Sequence, residues 1–268
     1  DAWRRLPAAR LVAICDRDHD RARAAAGHGA SAFADVADML AAADVDLVDI
    51  ATPPDTHLVD LRPVLRCRPA MAYILGYAGH VWELFALRGW IVAFLAWVAA
   101  QESADRPWLS ATAAAALINL IGLFASIGGN EMAMRFGRRR VLVAVMAVSA
   151  LAAVGIGAAA GLSYGMVVAL CMLYSVPVMA DSAALTAGAV EAAPAGYRGA
   201  TLAVHSTLGF GCGFLGSLAV GIVLDAAGGA SAGGWLAAFA VIGAGAAAGA
   251  AAVAIMGRKQ AEPEPEGA

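Results

Sequence analysis

His80, Glu83 and Arg88 stand close together in one long apolar run, and at 100° per residue on a helix they fall within a sector of about 140°. An imidazole three residues from a carboxylate can pass a proton or hold a polar solute. Glu83 and Arg88 flank the midpoint of the run. A second intramembrane carboxylate, Asp181, follows Pro177 by one turn in another apolar run. Ionisable groups in hydrocarbon cost several kcal/mol unless they are paired or wetted, so each marks either a solute or proton path or a structural ion pair. Both readings stand for Glu83 and Arg88, and His80 by itself reads more readily as structural. The shared helix and depth of Glu83 and Arg88 lead us to expect that they pair, with Asp181 as the preferred coupling carboxylate. Asp181 could instead counter Arg88 across the bundle. Asn119 and the run His205-Ser206-Thr207 either line the same cavity or bond neighbouring helices, a contact worth ~0.6 kcal/mol. Glu191 and Asp225 fall at helix ends and are expected only to be solvated.

The elements that must position these groups follow from composition. The 268 residues are 61% hydrophobic and 15% charged, against roughly a quarter charged in an ordinary soluble domain. Nearly half of the charged residues precede Pro63, in under a quarter of the length. From Pro69 onward six apolar stretches are near or above the ~20 residues that cross ~30 Å of hydrocarbon as a helix. They are 72–99, 109–129, 141–161, 164–190, 199–224 and 235–256, with polar or glycine-rich connections that include a loop over Asn130 to Arg140. The short connections make neighbouring helices antiparallel.

Alternate sides of this bundle differ in basic charge. Arg62, Arg66, Arg68, Arg135, Arg138, Arg139, Arg140, Arg198, Arg258 and Lys259 collect on one side, and Arg106 stands on the other. The excess predicts a multi-pass protein of the plasma (inner) membrane with both termini cytoplasmic. The net charge of -3 and the pI near 5.9 argue against a nucleic-acid partner. Cys15, Cys67, Cys171 and Cys212 lie far apart, which suggests neither a disulfide framework nor a metal site. The start at Asp1, without a basic, apolar, small-residue leader, reads as truncated. Residues 260–268, acidic and proline-broken, read as a disordered natural end.

In the fifth stretch Gly209, Gly213, Ser217 and Gly221 repeat every four residues, a smooth strip expected to sit against a neighbouring helix. Pro177 should kink the fourth stretch and free a carbonyl near mid-membrane. The segment from Asn130 through Glu131, Arg135, Gly137, Arg138 and Arg139 to Arg140 resembles the loop signature G-x-x-x-[DE]-[RK]-x-G-[RK]-[RK] of the major facilitator superfamily (MFS). It lies between the second and third helices, where that family has it. Asn130 and Met134 stand where the signature has Gly and an acid, and Glu131, one turn from Arg135, is placed to pair with it. The arginines serve equally as positive-inside anchors. The segment from Arg68 to Phe85 is similar to the seventh helix of bacterial members. The resemblance implies the second half of such a transporter, over about 63–268.

Residues 10–60 alternate strand and helix signals. We read strands at 10–15 and 47–51 and helices at 18–26 and 35–43, which imply a parallel sheet. Asp16, at a strand end, is either the acid that holds a cofactor ribose or a helix cap. The wording Leu-Val-Ala-Ile-Cys-Asp-Arg-Asp, then Val48 to His57 with its Thr52-Pro53-Pro54-Asp55-Thr56-His57 turn, resembles the Gfo/Idh/MocA oxidoreductase family over about 3–60. By that resemblance Asp16 would touch the adenosine ribose, and Thr52, Pro53 and His57 would lie along the cofactor. The family's G-x-G-x-x-G phosphate loop and its Glu-Lys-Pro are absent, and the one lysine of the chain is Lys259. The expectation is therefore a vestigial site, no NAD(P) or other cofactor and no enzyme.

The expected fold is thus an all-α polytopic membrane bundle of six transmembrane helices with a small incomplete α/β (Rossmann-like) N-terminal piece. It divides into 1–62, 63–259 and the tail 260–268. The expected function is transmembrane transport of a small solute in the manner of MFS secondary transport. Its partners are the lipid bilayer, the solute, and either a missing six-helix half or a second copy. The alternative is a membrane-anchored NAD(P)-binding oxidoreductase-like protein.

Overall fold

A computed structural model describes residues 10–27, 29–46, 61–102 and 108–257, so the expected strand at 47–51, the turn at 52–57 and the tail lie outside the described residues. The chain divides into two compact units, Asp1–Leu58 and Val59–Ala268.

In the first unit β1 (Ala13–Cys15), α1 (His19–Ala26), β2 (Ser31–Phe33) and α2 (Val36–Ala42) follow one another. β1 and β2 pair in parallel with Ile14 opposite Ala32. A parallel pair requires a crossover, and α1 supplies it. Asp18 starts that helix by accepting from the N–H groups of Asp20 and Arg21, and Asp35 starts α2 in the same way. A parallel pair is therefore present, as expected, but its partner strand is β2, the expected strand at 47–51 lying outside the described residues. Its second described strand, Ser31-Ala32-Phe33, escaped notice because three residues with one large apolar side chain carry no alternation signal.

The second unit is α3 (Arg62–Arg66), α4 (Arg68–Ala100), α5 (Ala111–Phe136), α6 (Arg138–Ala158), α7 (Tyr164–Ala180), α8 (Ser182–Glu191), α9 (Arg198–Ala226) and α10 (Ala232–Met256). Counting α7 with α8 as one span, it has six helices long and apolar enough to cross a membrane. Large apolar side chains cover the outside, with Phe124, Leu151, Leu173 and Phe214 each more than two-thirds exposed. Such a surface calls for lipid or another apolar partner.

α4 is the centre of the bundle and touches α5, α7, α8, α9 and α10. Glycines let it approach two of them closely. A Cβ on Gly79 would strike the Gly245 carbonyl oxygen, and one on Gly249 would meet the Gly76 carbonyl oxygen at 2.9 Å, so α4 and α10 cross backbone to backbone. Trp82 locks this crossing by donating its indole N–H to the Val241 carbonyl at 2.9 Å. The small-residue strip of α9 lies against α4 as expected: Gly209 faces Tyr77, Gly213 faces Val81 and Phe85, and Gly221 faces Trp90. Toward one end Phe94, Trp235 and Phe239 pack edge to face, with Phe94 at 5.1 and 4.7 Å from the other two rings.

Two boundaries differ from expectation. Asn130 to Phe136 is not loop but the continuation of α5, because no residue there breaks a helix and Glu131 and Arg135 pair across one turn at 2.8 Å. Gly137, with φ of 93°, makes the turn into α6. The kink expected at Pro177 takes the form of a break at Asp181, which separates α7 from α8. Proline has no N–H for the Leu173 carbonyl, and the Asp181 N–H turns to the Met179 carbonyl instead of continuing the ladder.

Candidate functional site

His80, Glu83 and Asp181 are all buried inside the membrane unit. Burial of His80 and Glu83 follows from the central place of α4, where the face bearing both is packed on other helices. Asp181, at the break between α7 and α8, lies on the packed face that also bears Tyr174 and Val178, and its Oδ1 stands 2.8 Å from His80 Nδ1. This is ion-pair distance, although the ring N–H does not point along the line to the oxygen. Gly129 of α5 makes room at the break, since any Cβ there would collide with the Ala180 carbonyl.

Glu83 lies one turn along α4 from His80. Its Oε1 accepts hydrogen bonds from Tyr174 OH at 2.7 Å and Ser149 Oγ at 2.9 Å, while Oε2 has no partner among the described residues. Sequence reasoning missed both donors. The signal was present for Ser149, the one hydroxyl in the apolar stretch of α6, and for Tyr174 near the middle of α7. His205 of α9 is also buried and stacks on Tyr77 with ring centroids 3.7 Å apart; Tyr77 in turn lies 5.7 Å from His80. Four polar side chains from α4, α8's threshold and α9 thus line up across the bundle: Asp181, His80, Tyr77 and His205.

The expected pair of Glu83 with Arg88 does not form, and neither does that of Asp181 with Arg88. The 140° sector straddles the boundary of the packed face, so Glu83 turns into the bundle while Arg88 emerges on an open face. There Arg88 Nε donates to Asn119 Oδ1 at 2.8 Å, and Asn119 Nδ2 donates to the Ala115 carbonyl. Asn119 therefore does join α4 to α5, through a charged partner.

At the α5–α6 turn Arg135 pairs with Glu131. Arg138 forms a two-pronged ion pair with Glu191 at 2.5 and 2.8 Å, and Arg139 donates to the Ala254 carbonyl at 2.6 Å. Glu191 is thus not merely solvated; it ties the end of α8 to the start of α6. Gly137 supplies the backbone turn that places these arginines.

In the first unit Asp16 directly follows β1. Its Oδ1 accepts from the Asp18 N–H at 2.9 Å, and its Oδ2 stands 3.7 Å from Arg21. Capping of α1 falls to Asp18. The Asp16 carboxylate is one-third exposed at the C-terminal end of a parallel strand, the place from which such folds hold ribose hydroxyls. Thr52, Pro53 and His57 lie outside the described residues.

A protein-family profile for Gfo/Idh/MocA, described as an oxidoreductase family with an NAD-binding Rossmann fold, matches residues 1–64. This match goes against the expectation that the chain is no enzyme, because the matched family is one of oxidoreductases; it covers 64 of the 268 residues. No curated protein and no solved structure matches the chain.

Proposed function

We propose that the six-helix unit is one half of a major-facilitator-type secondary transporter for a small solute, set in the plasma (inner) membrane with both termini cytoplasmic. The observation that carries this reading is the buried trio His80, Glu83 and Asp181 inside an apolar bundle. Ionisable residues inside apolar spans are rare and mark ion and solute paths by default. In this reading Asp181, at a helix break, exchanges a proton as the cavity alternates between wet and closed states. Broken helices at the midplane are the usual seat of such sites. A second six-helix half, from another chain or a second copy, completes the cavity.

The test is reconstitution of the full chain in proteoliposomes, alone and with candidate partner halves, with counterflow and pH-gradient-driven uptake measured over a solute panel. Asp181→Asn should abolish driven uptake and spare exchange. Driven uptake at the parental level in Asp181→Asn, with folded protein equal, would overturn the assignment.

A second reading rests on the family match and the β1–α1–β2 unit: a membrane-anchored, NAD(P)-binding oxidoreductase-like protein. Asp16 would hold the adenosine ribose, and the nicotinamide would supply hydride transfer. Fluorescence titration of the full chain with NADH, beside Asp16→Ala, tests it. Saturable binding that Asp16→Ala weakens supports the reading; no saturable signal removes it.

A further inference from the structure

We infer that Arg88 and Asn119 form a binding site for a small soluble anion, a carboxylate or phosphate compound, on the open face of the bundle. The inference names the substrate class of the transport reading, but the site itself stands on different residues from the buried trio.

Arg88 carries a full charge four residues past the centre of a 33-residue span, about 6 Å along the helix from its midpoint. That depth lies well inside the ~15 Å half-thickness of the hydrocarbon. The two buried carboxylates of the bundle are occupied elsewhere, Glu83 with Tyr174 and Ser149, and Asp181 with His80. Among the described residues no ion pair reaches Arg88. Its one hydrogen-bond partner is the neutral Asn119, which orients the guanidinium without neutralising it. Asn119 is itself held by its second polar atom on the Ala115 carbonyl. The guanidinium is therefore fixed through Nε and tethered away from the headgroup region, so that it does not snorkel freely.

This arrangement leaves the two terminal nitrogens, a planar fork matched to two oxygens of a carboxylate or phosphate. Leu87, Ile91 and Val178, beside Ser175 and Met179, nearly fill the space behind it, so the fork is reached from the open face. The apolar side chains beside the guanidinium offer nothing to a cation, and the fork supplies the one charge an anion can meet there. Hydrocarbon disfavours such a charge, whereas a face that admits water and an anion uses it.

The test uses the purified full chain and three variants, Arg88→Gln, Arg88→Lys and Asn119→Ala, with succinate and inorganic phosphate as probes and glucose and choline as neutral and cationic controls. Binding is followed by calorimetry in detergent and again in nanodiscs of phosphatidylcholine alone or with phosphatidylglycerol. At least one anion should bind saturably, with affinity at least tenfold weaker in Arg88→Gln and severalfold weaker in Asn119→Ala. Arg88→Lys, which keeps the charge and loses the fork, should lie between. Helicity and elution volume should stay parental in all three, because Arg88 is exposed.

Equal anion affinity in the parent and Arg88→Gln, no binding of either anion, or Arg88-dependent binding of glucose or choline overturns the inference. So does Arg88-dependent enrichment of phosphatidylglycerol without soluble-anion binding, which would make the ligand a lipid headgroup. A change of oligomeric state in Arg88→Gln would make Arg88 an interface charge and overturn it likewise. Arg88-dependent anion binding without any uptake would instead leave the site standing and count against transport.

Discussion

Glu83 Oε1 is the common acceptor of two buried hydroxyls, Tyr174 and Ser149, contributed by α7 and α6. Truncation and isosteric replacement should therefore separate. Glu83→Gln keeps an acceptor oxygen in place, whereas Glu83→Ala strands both donors, at about 1–3 kcal/mol for each unsatisfied group. Denaturation in detergent should show the alanine variant less stable than the glutamine variant by at least that amount. Equal stability would mean that the hydroxyls find other partners. In the first unit, partial burial, then Asp35 and Asp16, hold the Cys15 thiol above the ordinary cysteine range. A raised value keeps the thiol protonated further into alkali, so the thiolate appears only as pH climbs past the ordinary range. With Cys67, Cys171 and Cys212 replaced, the iodoacetamide rate at Cys15 should have its pH midpoint above that of a free cysteine. A midpoint at or below it would contradict the placement beside two aspartates.

At the scale of elements, contact between α4 and α10 depends on glycines that leave no space for a side chain. Gly79→Ile pushes a branched side chain into the Gly245 carbonyl and should cost at least the 1–3 kcal/mol of ordinary overpacking, since backbone rather than side chain must yield. Gly155→Ile in α6 is the matching control, because nothing lies within 4 Å of its Cβ position and most residues favour helix more than glycine does. A parental melting temperature for Gly79→Ile, with Gly155→Ile unchanged, would show that the crossing adapts. The break at Asp181 is an element-scale device of another kind. It interrupts the backbone ladder at a carboxylate that lies on the same packed face as Tyr174 and Val178.

For the whole molecule, the sidedness of basic residues predicts orientation without reference to any family. A topology reporter after Lys259 and another at Arg138 should both read cytoplasmic, and one at Glu102 external. An external reading at Arg138 would overturn the orientation and with it the number of crossings. The family match over residues 1–64 raises a second reading, nucleotide-dependent redox chemistry. The NADH titration shows whether that chemistry is retained beside the membrane unit.

Sequence alone carried six runs long and apolar enough to cross a membrane, the Glu131–Arg135 pair and a parallel sheet in the first unit. Each is a local or one-dimensional property: hydrocarbon thickness sets run length, and one helical turn sets i,i+4 pairing. The missed strand at Ser31–Phe33 lay below the length at which alternation can be read. Tertiary structure decided which ionisable groups meet. In a membrane bundle both the lipid-facing and the helix-facing sides of a span are apolar, so hydropathy does not reveal how each helix is rotated about its axis. That rotation puts Glu83 against Tyr174 and Ser149, gives Asp181 to His80, and leaves Arg88 with Asn119. The sequence placed Glu83 and Arg88 on one helix at similar depth, but close packing of α4 on its neighbours sends them to different faces.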